Sequence, residues 1–198
     1  MGRGSYALAR VAVYVRTAGT AWWWTGVVAA GAGLAIPGLT GRRIGVYAAA
    51  AAFVVTAVAA FLARRRRCVG LLAARSAAGK WALLRDRAVT VREWRRAHRW
   101  WLALGFVLAV ASSLVLPSAG GAALAGAGVG LWAKAVWIGR WEKRNETLLW
   151  VRPEWAGGRS PARQQVRGWM TTGPLAGDAA EGGVRRPRAA RARAVARA

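Results

Sequence analysis

Three charge-free runs dominate the pattern of hydrophobic and polar positions along this chain: residues 17–41, 44–63 and 100–133. Runs of about 20 apolar residues cross a hydrocarbon core of roughly 30 Å, so the pattern predicts membrane spans. The third run, "WWLALGFVLAVASSLVLPSAGGAALAGAGVGLWA", is 34 residues long. As one helix it would measure roughly 51 Å, and tilt absorbs only a few ångströms of mismatch. Within it "LPSAGG", from Leu116 to Gly121, places a Pro and two Gly in six residues, which is a turn composition. Two helices are therefore expected, about 100–116 and about 121–141. The earlier runs form a similar pair: 22–39, the turn "PGLTGRR", then 44–63. The expected fold is an all-α integral membrane protein. Its four transmembrane helices form two tandem helical hairpins, 22–63 and 100–141.

Composition sharpens this picture. The chain is 56% hydrophobic yet carries 31 Lys+Arg against 7 Asp+Glu, a net charge of +24. A soluble domain rarely combines these extremes; apolar residues in lipid with basic residues beside it reconcile them. The arm up to Arg16 holds three Arg, the 64–99 loop twelve Lys/Arg and the segment from Arg140 thirteen, while the hairpin turns hold only Arg42 and Arg43. Basic residues stay cytoplasmic, so both termini and the central loop are expected inside, at the inner membrane. Trp22, Trp23, Trp24, Trp100, Trp101, Trp137 and Trp141 cluster at the cytoplasmic ends of these spans, where amphipathic rings prefer the interface. The first run begins too far along, after too basic a stretch, to suggest a cleaved signal peptide.

The chain also repeats itself. "YALAR" (6–10) is echoed by "WALLR" (81–85), "AVYVR" (12–16) by "AVTVR" (88–92), and "LLAAR" (71–75) by "LLWVR" (148–152). Pro37 and Pro117 occupy matching turns. This order suggests a tandem duplication: 1–79 as the first repeat, 80–155 as the second and 156–198 as an appended tail. An even number of spans per unit makes the repeats parallel. Small residues would let the helices approach closely, with Gly126 and Gly130 in a G-x-x-x-G and Gly45, Ala49 and Ala52 on span two. The same faces would permit homo-oligomers.

The segment "KWALLRDRAVTVREWRRAHRWW" reads as a basic amphipathic helix on the cytoplasmic surface. Trp81, Leu84, Ala88, Val91 and Arg95 recur at helical spacing, with Arg85, Arg87, Arg92, Arg96 and Arg99 on other faces. The tail is rich in Gly, Pro, Ala and Arg and is expected to be disordered. Its end, "RRPRAARARAVARA", has six Arg and no acid. The candidate polyanion- or lipid-binding residues are Arg64, Arg65, Arg66, Arg67, Arg92, Arg95, Arg96 and Arg99 in the central loop. In the arm they are Arg185, Arg186, Arg188, Arg191, Arg193 and Arg197.

No catalytic constellation stands out, so the chain is read as a non-enzyme with no catalytic, cofactor or metal site. His98 is the only His and lies among Arg, with no Cys or carboxylate cluster for a metal. Cys68 is the only Cys and forms no internal disulfide. No glycine-rich loop precedes G-K-[ST]. Ser112 and Ser113 fall in span three, where a hydroxyl bonds back to its own helix or to a neighbour. No Asp or Glu lies in any span, which disfavours a proton-coupled carrier. Lys134 is the one charge inside a span and is expected to snorkel toward the interface.

In its four spans, its "RRRR" at 64–67, its Arg-rich loop and its basic arm, the chain resembles the Spd-type plasmid-spread proteins. These are small basic polytopic membrane proteins encoded beside the translocase on actinobacterial conjugative plasmids. The resemblance implies a membrane platform that meets DNA, or a DNA-translocating protein, during transfer. Two other readings fit the same residues. The Arg clusters could bind anionic lipid in a membrane scaffold, or the short Gly/Ala-rich hairpins could form a holin-like pore.

Overall fold

The computed structural model describes residues 7–36, 38–63, 65–78, 84–152 and 168–173. Among them the order is β1 (Ala9–Arg10), α1 (Val11–Leu34), α2 (Arg42–Leu62), α3 (Arg65–Ala73), β2 (Ser76–Ala77), α4 (Arg87–Ser112), α5 (Ala119–Asn145), β3 (Leu148–Val151) and β4 (Met170–Thr172). The fold is mostly helical. Among the described residues, two stretches are long and apolar enough to cross a membrane: Arg43–Ala73, which covers α3 and all but the first residue of α2, and Ala119–Asn145, which is α5.

The described residues fall into two compact units. One is the helical bundle, drawn from Ala12–Arg65 and Arg87–Ile138; the other is drawn from Met1–Val11, Arg66–Asp86 and Gly139–Ala198. The long apolar run of the sequence is indeed two helices. α4 ends at Ser112 and α5 begins at Ala119, with Pro117 in the turn between them. The helices nevertheless start earlier than the apolar pattern suggests. α4 continues without a break from Arg87 through Arg99 into the apolar run, so its basic segment is not a separate surface helix. Arg, Glu, Ala and Trp here are compatible with helix, and nothing between Arg87 and Trp100 would stop one.

Within the bundle, α5 is the axis because its glycines let three helices reach its backbone. A Cβ on Gly121 would strike the backbone of Ala30, and one on Gly128 the backbone of Trp23, both on α1. On another face Gly126 meets Phe53 and Thr56 of α2, and Gly130 meets Ala57 of α2. The G-x-x-x-G at Gly126 and Gly130 therefore serves packing inside the chain. Gly120 abuts Ala109 and Ser112 of α4. Thr56 adds an interhelical hydrogen bond from its Oγ1 to the Ala123 carbonyl at 2.8 Å. Of the small face expected on α2, Gly45 meets Pro117. The two turns are joined: the Leu39 N–H donates to the Leu114 carbonyl at 3.1 Å, and Thr40 Oγ1 to the Val115 carbonyl at 2.9 Å.

The second unit holds a four-stranded sheet in the order β1-β3-β4-β2. β3 pairs antiparallel with both β1 and β4, and β2 pairs parallel with β4. This sheet departs from the all-α expectation, and β4 comes from the tail expected to be disordered. The tail contributes because Trp169 is buried, and because Trp150 donates its indole N–H to Thr172 Oγ1 at 2.9 Å. Leu149, Trp150 and Val151 complete a buried apolar strand.

The echoed blocks occupy related places. α1 opens one residue before the block at 12–16, and α4 one residue before its echo at 88–92. Leu8 of the first block forms a parallel bridge to Leu84 of the second. α2 follows Gly41 with φ 79°, and α5 follows Ser118 with φ 57°. The third pair diverges: residues 71–73 end α3, whereas Leu148–Val151 form β3.

Candidate polyanion-binding face

α4 positions the clearest group of predicted site residues. Arg92, Arg95, Arg96 and Arg99 are all exposed, and their i, i+3, i+4, i+7 spacing puts them on one face of the helix. The opposite face faces inward: Thr90 and Trp94 are buried, and the His98 ring stacks on Trp94 at 4.4 Å with its Nδ1 2.9 Å from the Trp94 carbonyl. Ala88 and Arg95, expected on the apolar stripe, are exposed instead. Trp94 wins the inward position because it buries more apolar area than either. Burial pushes the Tyr14 phenol on α1 above its ordinary value, with a hydrogen bond to Trp94 pulling it back. Like charges at i, i+3 and i, i+4 cost a bare helix about 0.2–0.5 kcal/mol per pair, so four Arg on one face favour an anion as neighbour.

The other predicted residues are dispersed. Arg65, in the bundle unit, lies 5.8 Å from the Phe61 ring centroid and 5.9 Å from that of Trp137. Arg66 and Arg67 are exposed on α3, in the second unit. Arg64 and the arm residues Arg185, Arg186, Arg188, Arg191, Arg193 and Arg197 lie outside the described residues, as do Pro37 and Trp81. Cys68 is a free, half-buried thiol on α3.

Past Arg99 the same helix becomes apolar while staying exposed. Trp100 is 74% exposed, and Trp101, Leu104, Val107 and Leu108 are also exposed. Not every tryptophan of the expected belt faces outward. Trp22 packs where a Gly105 Cβ would be, and Trp23 meets Phe53 edge-on at 6.4 Å.

Two charged groups have roles the sequence did not reveal. Lys134 does not snorkel: it is only 8% exposed, and its Nζ donates to the carbonyls of Ala60 and Ala63 at 2.7 Å each. These carbonyls belong to the end of α2, where a helix has unsatisfied acceptors and the negative end of its dipole. Glu142, 2% exposed, accepts from Arg10 Nη2 at 2.6 Å and Nε at 3.1 Å, and from the Leu149 N–H at 3.0 Å. It thereby ties α5 to β1 and β3. Ser112 and Ser113 bond back to the Ala109 carbonyl, at 2.7 and 3.2 Å.

Compared with protein-family models, curated proteins and solved structures, the chain matches none, so its own geometry must carry the functional reading.

Proposed function

We propose that this chain is a four-span inner-membrane protein, with both termini cytoplasmic, whose basic cytoplasmic face binds a polyanion. Duplex DNA handled during plasmid transfer is the leading candidate. The observation that carries the membrane part is apolar exposure. In the most apolar eighteen-residue stretch of Arg43–Ala73 nothing is buried, whereas the core helix of a soluble protein would bury such a stretch. Tyr47, Val54, Val55 and Val58 of α2 are exposed, as are Val28 of α1 and Val107 of α4. Apolar patches of that extent mark a lipid or partner surface. The matching starts of α1 and α4, and of α2 and α5, support a duplicated hairpin as the origin of the four spans.

The polyanion part rests on the exposed Arg66 and Arg67 of α3 and on the basic arm in the sequence. Phosphate contacts of this type release counterions and give a steep salt slope. The test is binding of labelled duplex DNA to full-length protein in zwitterionic nanodiscs at about 0.15 M salt. Binding lost on changing the arm and loop Arg to Gln supports the reading. DNA binding that survives both changes, or no DNA binding at all, removes it.

A further inference from the structure

We infer that the Arg92–Arg95–Arg96–Arg99 stripe of α4 is a docking surface for anionic phospholipid headgroups, leaving DNA to the remaining basic residues. The inference rests on the membrane reading above and assigns a partner to one part of the basic face. The argument is one of depth. α4 runs unbroken from Arg87 to Ser112, so position along it converts directly to distance. Trp100 and Trp101, exposed and followed by exposed Leu104, Val107 and Leu108, mark where the helix enters hydrocarbon. Arg99 and Arg96 then lie within about 6 Å of Trp100 along the axis, and Arg95 and Arg92 within about 12 Å. The headgroup layer of one leaflet is about 5–8 Å thick. The lower two guanidinium groups thus start inside it, and the upper two reach it by bending their stems downward. Arg99 already folds back over the Trp100 ring, 5.4 Å from its centroid, the posture of a side chain held at the interface.

Charge complementarity selects the lipid. Planar guanidinium groups pair in bidentate fashion with phosphate oxygens, and each basic residue near an anionic surface adds attraction of its own. A DNA duplex seeking the same four residues would have to enter a layer of negative headgroups, whose repulsion opposes it. Trp94 and His98, packed beneath, hold the stripe in a fixed orientation, so the headgroups meet an ordered row of donors.

The experiment uses the full-length protein reconstituted in zwitterionic bilayers containing a small fraction of brominated lipid, either phosphatidylglycerol or phosphatidylcholine. Tryptophan quenching is the readout, and a Trp100→Phe/Trp101→Phe variant identifies the signal from the interface. Brominated phosphatidylglycerol is expected to quench several-fold more effectively than the same fraction of brominated phosphatidylcholine. High salt and the fourfold Arg→Gln variant should erase that preference. Gln preserves helix propensity and all four residues are exposed; circular dichroism checks that the variant folds, and single Arg96→Gln should lower the preference partially. Equal quenching by both lipids overturns the proposal while leaving the membrane reading intact. Absence of quenching by either lipid overturns the membrane reading itself. A third outcome also defeats the proposal: loss of DNA binding in the fourfold variant, unaffected by phosphatidylglycerol, would make the stripe a DNA site.

Discussion

At the residue scale, Lys134 shows how an isolated charge can serve structure. Its partners, Ala60 and Ala63, lie 74 and 71 positions away in the chain, so no local pattern announces them. From sequence, a lone Lys a few turns from a helix exit looks like a snorkelling side chain. Lys134→Met keeps the stem but leaves the α2 carbonyls without the ammonium, which should cost roughly 2–3 kcal/mol. Thermal unfolding in detergent measures it, and an unchanged midpoint would contradict the capping role. Glu142 was equally hidden, one of two acids inside "WEKRNE". Glu142→Gln weakens its pairing with Arg10 and should destabilise by about 1–3 kcal/mol. The lower part of that range is expected because the Arg10 side chain is 38% exposed and water screens it. Protection of the Leu149 amide against hydrogen exchange should fall with it.

At the level of elements, the hairpins were readable because charge and apolar residues are so sharply segregated, and because "LPSAGG" breaks a run too long for one span. The sheet was not readable. Its strands are two to four residues long, too short for alternation to show. "LLWV" was visible as half of an echo, yet its partner block ends in a helix, so the repeat itself pointed the wrong way. Each Arg of the α4 stripe is legible in the sequence, but the inward face of the helix is not, because Trp94 sits inside a run of charges. Glycine usage makes a paired prediction. Gly121 lies against the Ala30 backbone, whereas nothing lies within 4 Å of a Cβ on Gly31. Gly121→Ala should separate α5 from α1 and lower stability by about 1–3 kcal/mol. Gly31→Ala should be neutral or stabilise by about 0.5–1 kcal/mol through helix propensity. Denaturation of the two variants side by side tests the contrast; equal effects would mean that α5 does not pack on α1 this closely.

For the molecule as a whole, topology is the property most exposed to test. Replacing Cys68 with Ala gives a background free of thiols, since Cys68 is the only cysteine. A cysteine placed at Thr40 should react with an impermeant maleimide from outside the cell, and one placed at Glu146 only after the membrane is opened. Labelling of both from the same side would exclude two hairpins of the expected orientation. The segregation of Lys and Arg is what predicts this arrangement. The division into units was not legible in the sequence, because one of them is gathered from three separated stretches.

That gathered unit has a consequence for biosynthesis. β4 sits in the middle of the sheet, bonded to β3 on one side and β2 on the other, yet it is the last of the described strands along the chain. A ribosome delivers every described helix before it delivers Met170. On the proposed membrane reading, these helices enter the bilayer while β2 still has no strand to pair with, and only translation past Thr172 closes the sheet. A chain broken off earlier would carry all the described helices and an unfinished sheet edge, a physical mark that sets interrupted products apart from finished ones.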